Sequence, residues 1–248
     1  MKRNLLCLAL LAVGASSQAV TLWDNGTFVT GTGDGFGGAN TSAIQAGHNS
    51  FGPNVNHAGP FALAENFTLS SASTLSSLTV FSYQTGSTTT SSFTAGAWAI
   101  YSAAPVNLTT GPLAGTLAST GAISSSFTNV YRVTPTTLTN SQRPIMQVTM
   151  DLGNLALGAG TYWVAWALSG TVASGPWGVP VTPVASGDAL QYTSTTGTFA
   201  LVDQDTITAG AQTTEMAFNI QGSVVPEPAT MTAMVVGVAA LLRRRKKA

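Results

Sequence analysis

Apolar residues in this chain recur at every second position, and that period restricts the fold more than any other feature. Phe61, Leu63, Phe67 and Leu69 share one parity, and Ala62, Ala64, Asn66 and Thr68 take the other. Met146, Val148, Met150 and Leu152 form a second stripe, Tyr162, Val164, Trp166 and Leu168 a third, and Met216, Phe218 and Ile220 a last one. Successive side chains of a strand point to opposite faces, so each stripe reads as one buried face of a β-strand. Trp98 and Ile100 alternate with Ala97, Ala99 and Tyr101, while Leu78 and Val80 oppose Phe81 and Tyr83 in what reads as the next strand. Turn signals separate the stripes: Thr85-Gly86-Ser87, Gly111-Pro112, Gly153-Asn154, Gly158-Ala159-Gly160, Ser174-Gly175-Pro176 and Ser186-Gly187-Asp188. Many short strands with Gly and Pro between them predict an all-β, antiparallel β-sandwich of jelly-roll-like form. It occupies residues 20–223, with a first strand over Thr21–Thr30 and a long Gly-, Asn- and Ser-rich surface loop over Gly31–Ser50.

The charges divide the chain into three parts. Nine Lys and Arg face nine Asp and Glu across 248 residues, and only 7% of the chain is charged, against a usual ~25%. Lys2 and Arg3 precede an apolar run from Leu5 to Val13, and Ser17-Gln18-Ala19 places small residues at −3 and −1 of a cut before Val20. That is the pattern of a secretory signal over residues 1–19 with cleavage between Ala19 and Val20. At the other end, an apolar run from Ala229 to Leu242 leads into Arg243, Arg244, Arg245, Lys246 and Lys247. The run predicts a transmembrane-type helix, short of the ~30 Å hydrocarbon core, with its basic cluster held in the cytoplasm. Between these ends only Arg132 and Arg143 remain, against Asp24, Asp34, Glu65, Asp151, Asp188, Asp203, Asp205 and Glu215, a formal charge of −6. A lysine-free, acidic domain has nothing with which to neutralise phosphates, which argues against nucleic acid as a partner. Cys7 is the one cysteine and lies inside the signal, so the exported part has no disulfide, thiol nucleophile or thiolate metal site.

Pro226-Glu227-Pro228, the short apolar segment and the terminal basic cluster together resemble the PEP-CTERM sorting signal, here over residues 224–248. The resemblance implies an exported bacterial protein whose tail is processed near Pro226-Glu227-Pro228 by exosortase, a membrane cysteine transpeptidase, after passage through the general secretion machinery. The product would reach the cell surface or exopolysaccharide matrix of a Gram-negative-type bacterium, held by its C-terminal helix in the membrane until processed. The central region is also similar to a β domain that recurs among PEP-CTERM proteins, through Trp23-Asp24-Asn25-Gly26, Ala64-Glu65-Asn66-Phe67, Tyr131-Arg132-Val133, Arg143-Pro144-Ile145-Met146, Gly160-Thr161-Tyr162-Trp163 and Gly175-Pro176-Trp177. That similarity implies a fold and no reaction.

Few residues invite a chemical reading. Glu65 shares parity with Leu63 and Phe67 and so points at the core, where a carboxylate is costly unless paired; Arg132 and Arg143 are the available partners. Otherwise a bulge turns it outward, or it is a catalytic acid with a raised pKa, or it ligates a metal, since acidic clusters at sandwich edges suit calcium; Asp203-x-Asp205 is a second calcium candidate. Beyond calcium no cofactor or metal is expected. His48 and His57 lack metal spacing, no Gly-x-Ser-x-Gly elbow occurs, and Gly31-x-Gly33-x-Gly35-x-Gly37-Gly38 lacks a phosphate-loop lysine. Eight acids could furnish a glycosidase pair, yet no spacing identifies one. Trp163 and Trp177, with Trp98, Tyr101, Tyr131 and Trp166, are candidates for a sugar-stacking platform, Trp163 because its parity opposes that of Tyr162, Val164 and Trp166. The expectation is therefore a non-enzymatic surface or matrix protein of structural or interaction type. A carbohydrate-binding module is the alternative, and a glycan hydrolase a distant third.

Overall fold

The computed structural model describes residues 19–45, 50–182, 187–202 and 213–226. Within them the alternating stripes form two sheets. One contains β1 (Val20–Asp24), β2 (Asn40–Ala43), β4 (Ser73–Tyr83), β7 (Ile123–Val133), β8 (Pro144–Leu157), β10 (Trp177–Gly178) and β13 (Phe218–Val224). It runs in the order β1-β13-β4-β8-β7-β2, with β10 paired to β4. The other contains β3 (Phe61–Leu69), β5 (Phe93–Tyr101), β6 (Ala114–Gly121), β9 (Gly160–Gly170), β11 (Leu190–Thr193) and β12 (Thr198–Leu201), in the order β12-β11-β3-β9-β5-β6. The chain crosses repeatedly from sheet to sheet, so neighbouring strands are seldom consecutive and the packed faces come from distant segments.

The expected stripes meet between the sheets. Leu63 and Phe67 of β3, Leu78 and Val80 of β4, Met146, Val148 and Met150 of β8, Val164, Trp166 and Leu168 of β9, and Phe218 and Ile220 of β13 form one buried cluster. Trp166 and Phe218 bring their rings together across the sandwich at 5.8 Å. Burying a side chain of this size stabilises the fold by about 1.5–3 kcal/mol. The outer face of the second sheet is lined with alanines, Ala62, Ala64, Ala97, Ala99, Ala165 and Ala167, and is itself buried. The outer face of the first carries a smaller core of Phe28, Tyr83, Val130, Ile145 and Val179, so both sheets are partly covered on both sides.

The structure corrects four sequence expectations. Leu78, Val80, Phe81 and Tyr83 lie on the two faces of one strand, β4, because no turn residue interrupts Ser73–Tyr83. The first strand stops at Asp24, whose carboxylate accepts from the Gly26 amide at 3.0 Å and turns the chain. Gly31–Ser50 is not merely a surface loop: it supplies β2, where Thr41 and Ser42 are buried. β2 pairs with β7 in parallel, so the sandwich is not wholly antiparallel. The residues expected to form the signal and C-terminal helices lie outside the described residues; among the described residues no helix is long and apolar enough to cross a membrane.

β1 and β13 are antiparallel neighbours with Val20 opposite Gly222. The start of the first strand and the end of the last therefore leave the sheet at one pole. The Val225 amide still donates to the Ala72 carbonyl at 2.8 Å. Pro226, having no N–H, ends the ladder.

Candidate functional site

Among the described residues two places carry chemistry: an internal acidic cluster, and the strand end that leads into the tail. The first is built from three segments far apart in sequence. Glu65 sits mid-strand in β3 and is fully buried on the face it shares with Leu63 and Phe67. Asp188 lies just before β11 and Glu215 just before β13. Gly187 lets the first of these segments lie against the second, since a Cβ there would fall 2.1 Å from the Thr214 carbonyl. The contact places a carboxylate oxygen from each of Glu65, Asp188 and Glu215 within 4.8 Å of the others.

Neutral donors hold this cluster. The Met216 amide donates to Glu65 Oε2 at 3.2 Å, and the Asp188 amide to Glu215 Oε1 at 3.2 Å. Asn25 Nδ2 donates to Glu215 Oε2 at 3.1 Å and to the Met216 carbonyl at 3.0 Å, while Trp23 Nε1 donates to Asn25 Oδ1 at 3.2 Å. Asn66 Nδ2 donates to Asp188 Oδ2. Glu65 Oε1 and Asp188 Oδ1 are buried without any partner. Burial foremost, and then the hydrogen bond and negative charge of Glu215, push the Glu65 carboxyl well above its ordinary range; the Met216 amide opposes this and Asp188 adds to it.

The expected pairing of Glu65 with an arginine does not occur. Arg132 of β7 is buried among neutral oxygens, its Nε donating to Phe51 O at 2.9 Å and its Nη1 to Ser42 Oγ at 3.0 Å and Ala43 O at 3.3 Å. Burial draws its pKa down to about 10. Arg143 stacks over the Phe51 ring, 3.8 Å from its centroid. Both arginines belong to the β2–β7 side of the first sheet, which the parity of Glu65 had no means of revealing. Glycoside hydrolysis needs two carboxylates that a sugar can reach, and Glu65 has no exposed surface.

The aromatic candidates are likewise separated. Trp163 packs against the alanine face of the second sheet, whereas Trp177 of β10 packs with Tyr83 and Ile145 on the outer face of the first. They therefore do not make one platform. Trp166 is core. His57 Nε2 meets the Leu117 carbonyl at 3.0 Å, beside a depression of about 200 Å³ that Phe61, Leu117 and Tyr192 also line. Asp203, Asp205 and His48 lie outside the described residues. The members sequence reasoning missed are Asp188 and Glu215 as partners of Glu65; separations of more than a hundred residues close only through the strand order.

The second place is the processing end. Val224 is the last residue of β13, and Ala19 directly precedes β1, whose first residue, Val20, pairs with Gly222 and is 49% exposed. Glu227, Pro228 and the basic cluster Arg243–Lys247 lie outside the described residues, so Pro226 is the one residue of Pro226-Glu227-Pro228 with a described position, two residues past the end of β13. Residues 224–246 match the PEP-CTERM protein-sorting motif. No curated protein and no solved structure matches the chain. On an all-β domain consistent with an extracellular location, the chain thus carries the PEP-CTERM sorting signal, which marks it for export, exosortase processing and the cell surface or beyond.

Proposed function

We propose that this protein is a non-enzymatic structural or interaction component of the cell surface or exopolysaccharide matrix, tethered by its C-terminal helix until exosortase cuts at Pro226-Glu227-Pro228. The observation that carries the reading is the position of the sorting motif, which begins at the last residue of β13. β13 lies between β1 and β4 in its sheet, so a cut after it leaves every described strand intact. Both ends of the domain leave from one pole, so the signal peptide and the tail can sit at the same membrane while the body points away. We read the wrap of β1-β13-β4-β8 over β3-β9-β5-β6 as a jelly roll, a scaffold that resists unfolding without disulfides through the size of its core.

Replacing Pro226, Glu227 and Pro228 by alanine tests the reading. A precursor-length product should stay in the membrane fraction of the producing cell, while the unaltered chain is shortened and released. Equal release of a shortened product from both would overturn it.

The carbohydrate-binding alternative draws on the depression on the outer face of the second sheet. There Tyr192 and Phe61 line the depression together with Ala62 and Ala167, an aromatic and aliphatic surface suited to the apolar side of a sugar. Retention on matrix polysaccharide that Tyr192→Ala abolishes would favour it. Equal retention of the variant would remove it.

A further inference from the structure

We propose that Glu65, Asp188 and Glu215 form a calcium site that staples β3 to the segments entering β11 and β13. Three carboxylates converge within 4.8 Å, and neither arginine reaches them: Arg132 is spent on Phe51, Ser42 and Ala43, and Arg143 on the Phe51 ring. Three carboxyl groups crowded in a low-dielectric interior cannot all ionise without strong mutual repulsion unless something positive lies among them.

Convergence alone would not make a site. The independent observation is the hydrogen-bond accounting. Glu65 is completely buried, and its Oε1 has no partner, nor has the buried Oδ1 of Asp188. A buried carboxylate oxygen without a donor is rare and costly. A single proton shared between Glu65 and Glu215 would relieve one repulsion and still leave Asp188 Oδ1 bare. A cation held among the three carboxylates would offer a partner that no donor of the chain supplies to Glu65 Oε1 and Asp188 Oδ1.

The remaining oxygens are already fixed. The Met216 amide holds Glu65 Oε2, the Asn66 amide holds Asp188 Oδ2, and Asn25 with the Asp188 amide holds Glu215. Outer-shell donors of this kind orient metal-ligating carboxylates and leave lone pairs free for the ion. The donor set is entirely oxygen, without thiolate or imidazole, which selects a hard cation; calcium accepts irregular carboxylate cages more readily than magnesium, which demands a near-ideal octahedron. Calcium also fits the compartment, since the sorting motif sends the domain to the cell exterior, where modules that bind it with Kd of ~0.1–1 mM are matched to the supply.

The test uses the full-length chain in mild detergent, comparing its thermal midpoint in calcium and in EDTA. At about tenfold over Kd, calcium should raise the midpoint by about 4 °C. Terbium offers a second readout: Trp23 reaches Glu215 through Asn25 in two hydrogen bonds, so its excitation should sensitise terbium emission that calcium quenches by displacement. Glu65→Gln keeps the shape and the acceptor for Met216 and should abolish both signals, as should Glu215→Gln, while Asp151→Asn, on the other sheet, should leave them intact. No midpoint shift up to ~10 mM calcium, an order above that affinity range, would overturn the proposal. So would a shift that survives Glu65→Gln in a folded variant.

Discussion

Arg132 and Glu65 are both buried ionisable side chains in the same sandwich, and the molecule treats them in opposite ways. Arg132 is surrounded by acceptors that cannot titrate: the carbonyls of Phe51 and Ala43 and the hydroxyl of Ser42. Its charge is dispersed over dipoles supplied by the loop before β3 and by β2, and no counter-ion is needed. Glu65 has one amide, that of Met216, and two other acids for neighbours. The comparison teaches that burial of a charge says little by itself. What matters is whether the fold completes the charge from its own backbone, as it does for Arg132, or leaves a place for something that is not part of the chain.

If Arg132 completes its own site, removing it should do more damage than any single substitution in the acidic cluster. Arg132→Met deletes the donors to Phe51 O, Ser42 Oγ and Ala43 O together, leaving buried acceptors unpaired, at a cost of about 3 kcal/mol or more. A urea unfolding midpoint that moves by less than about 1 kcal/mol equivalent would break the contrast. Arg132→Lys should recover only part of the loss, because an ammonium cannot spread its donors over a planar fork.

These two sites also mark how far the sequence could be read. Alternation placed Glu65 on the core face of β3 and assembled most of the inter-sheet core, because period two is a local property of each strand. It failed where the outcome depended on which strands become neighbours. Gly31–Ser50 has few apolar residues and no stripe, yet β2 is held in place by its parallel ladder to β7 and by the guanidinium on Ser42. The arginine–glutamate pairing was a charge inventory without a topology, and the strand order puts the two on different parts of the sandwich. Asp188 and Glu215 were visible as acids; nothing local tied them to Glu65. The sorting tail was legible in full because it works as a linear pattern.

Gly187→Ala probes the other side of the contrast through its backbone. A methyl group 2.1 Å from the Thr214 carbonyl must push the segment before β11 away from the one before β13, costing about 2 kcal/mol. Its more telling consequence is separation of Asp188 from Glu215, so calcium should stabilise this variant less than the unaltered chain. Undiminished stabilisation would mean that the three acids do not act as a unit.

Glu65→Gln in EDTA should reverse the sign seen for Arg132. The glutamine oxygen can still accept from Met216, its amide can donate to Glu215, and the cost of holding a third ionisable carboxyl in the cluster disappears. The variant should be more stable than the unaltered chain by about 1 kcal/mol without calcium, and less stable than it with calcium. Destabilisation in both conditions would make Glu65 a self-completed charge like Arg132, and the two sites would no longer differ in kind.

The smallest effect belongs to Arg143, which tests whether the arginine side is as self-contained as it looks. Phe51 joins the two arginines: its ring lies under Arg143 and its carbonyl accepts from Arg132. Arg143→Leu forfeits a cation–π contact of about 0.5–1 kcal/mol. It also removes a like charge that, after burial, contributes to lowering the pKa of Arg132. The two changes oppose each other, so the net loss should stay within about 0.5 kcal/mol. A double-mutant cycle with Phe51→Leu separates them, because the ring contact enters the coupling and the repulsion does not. A loss approaching that of Arg132→Met would instead mean that Arg143 holds Phe51 in place, and that the carbonyl completing the Arg132 site depends on a second charge.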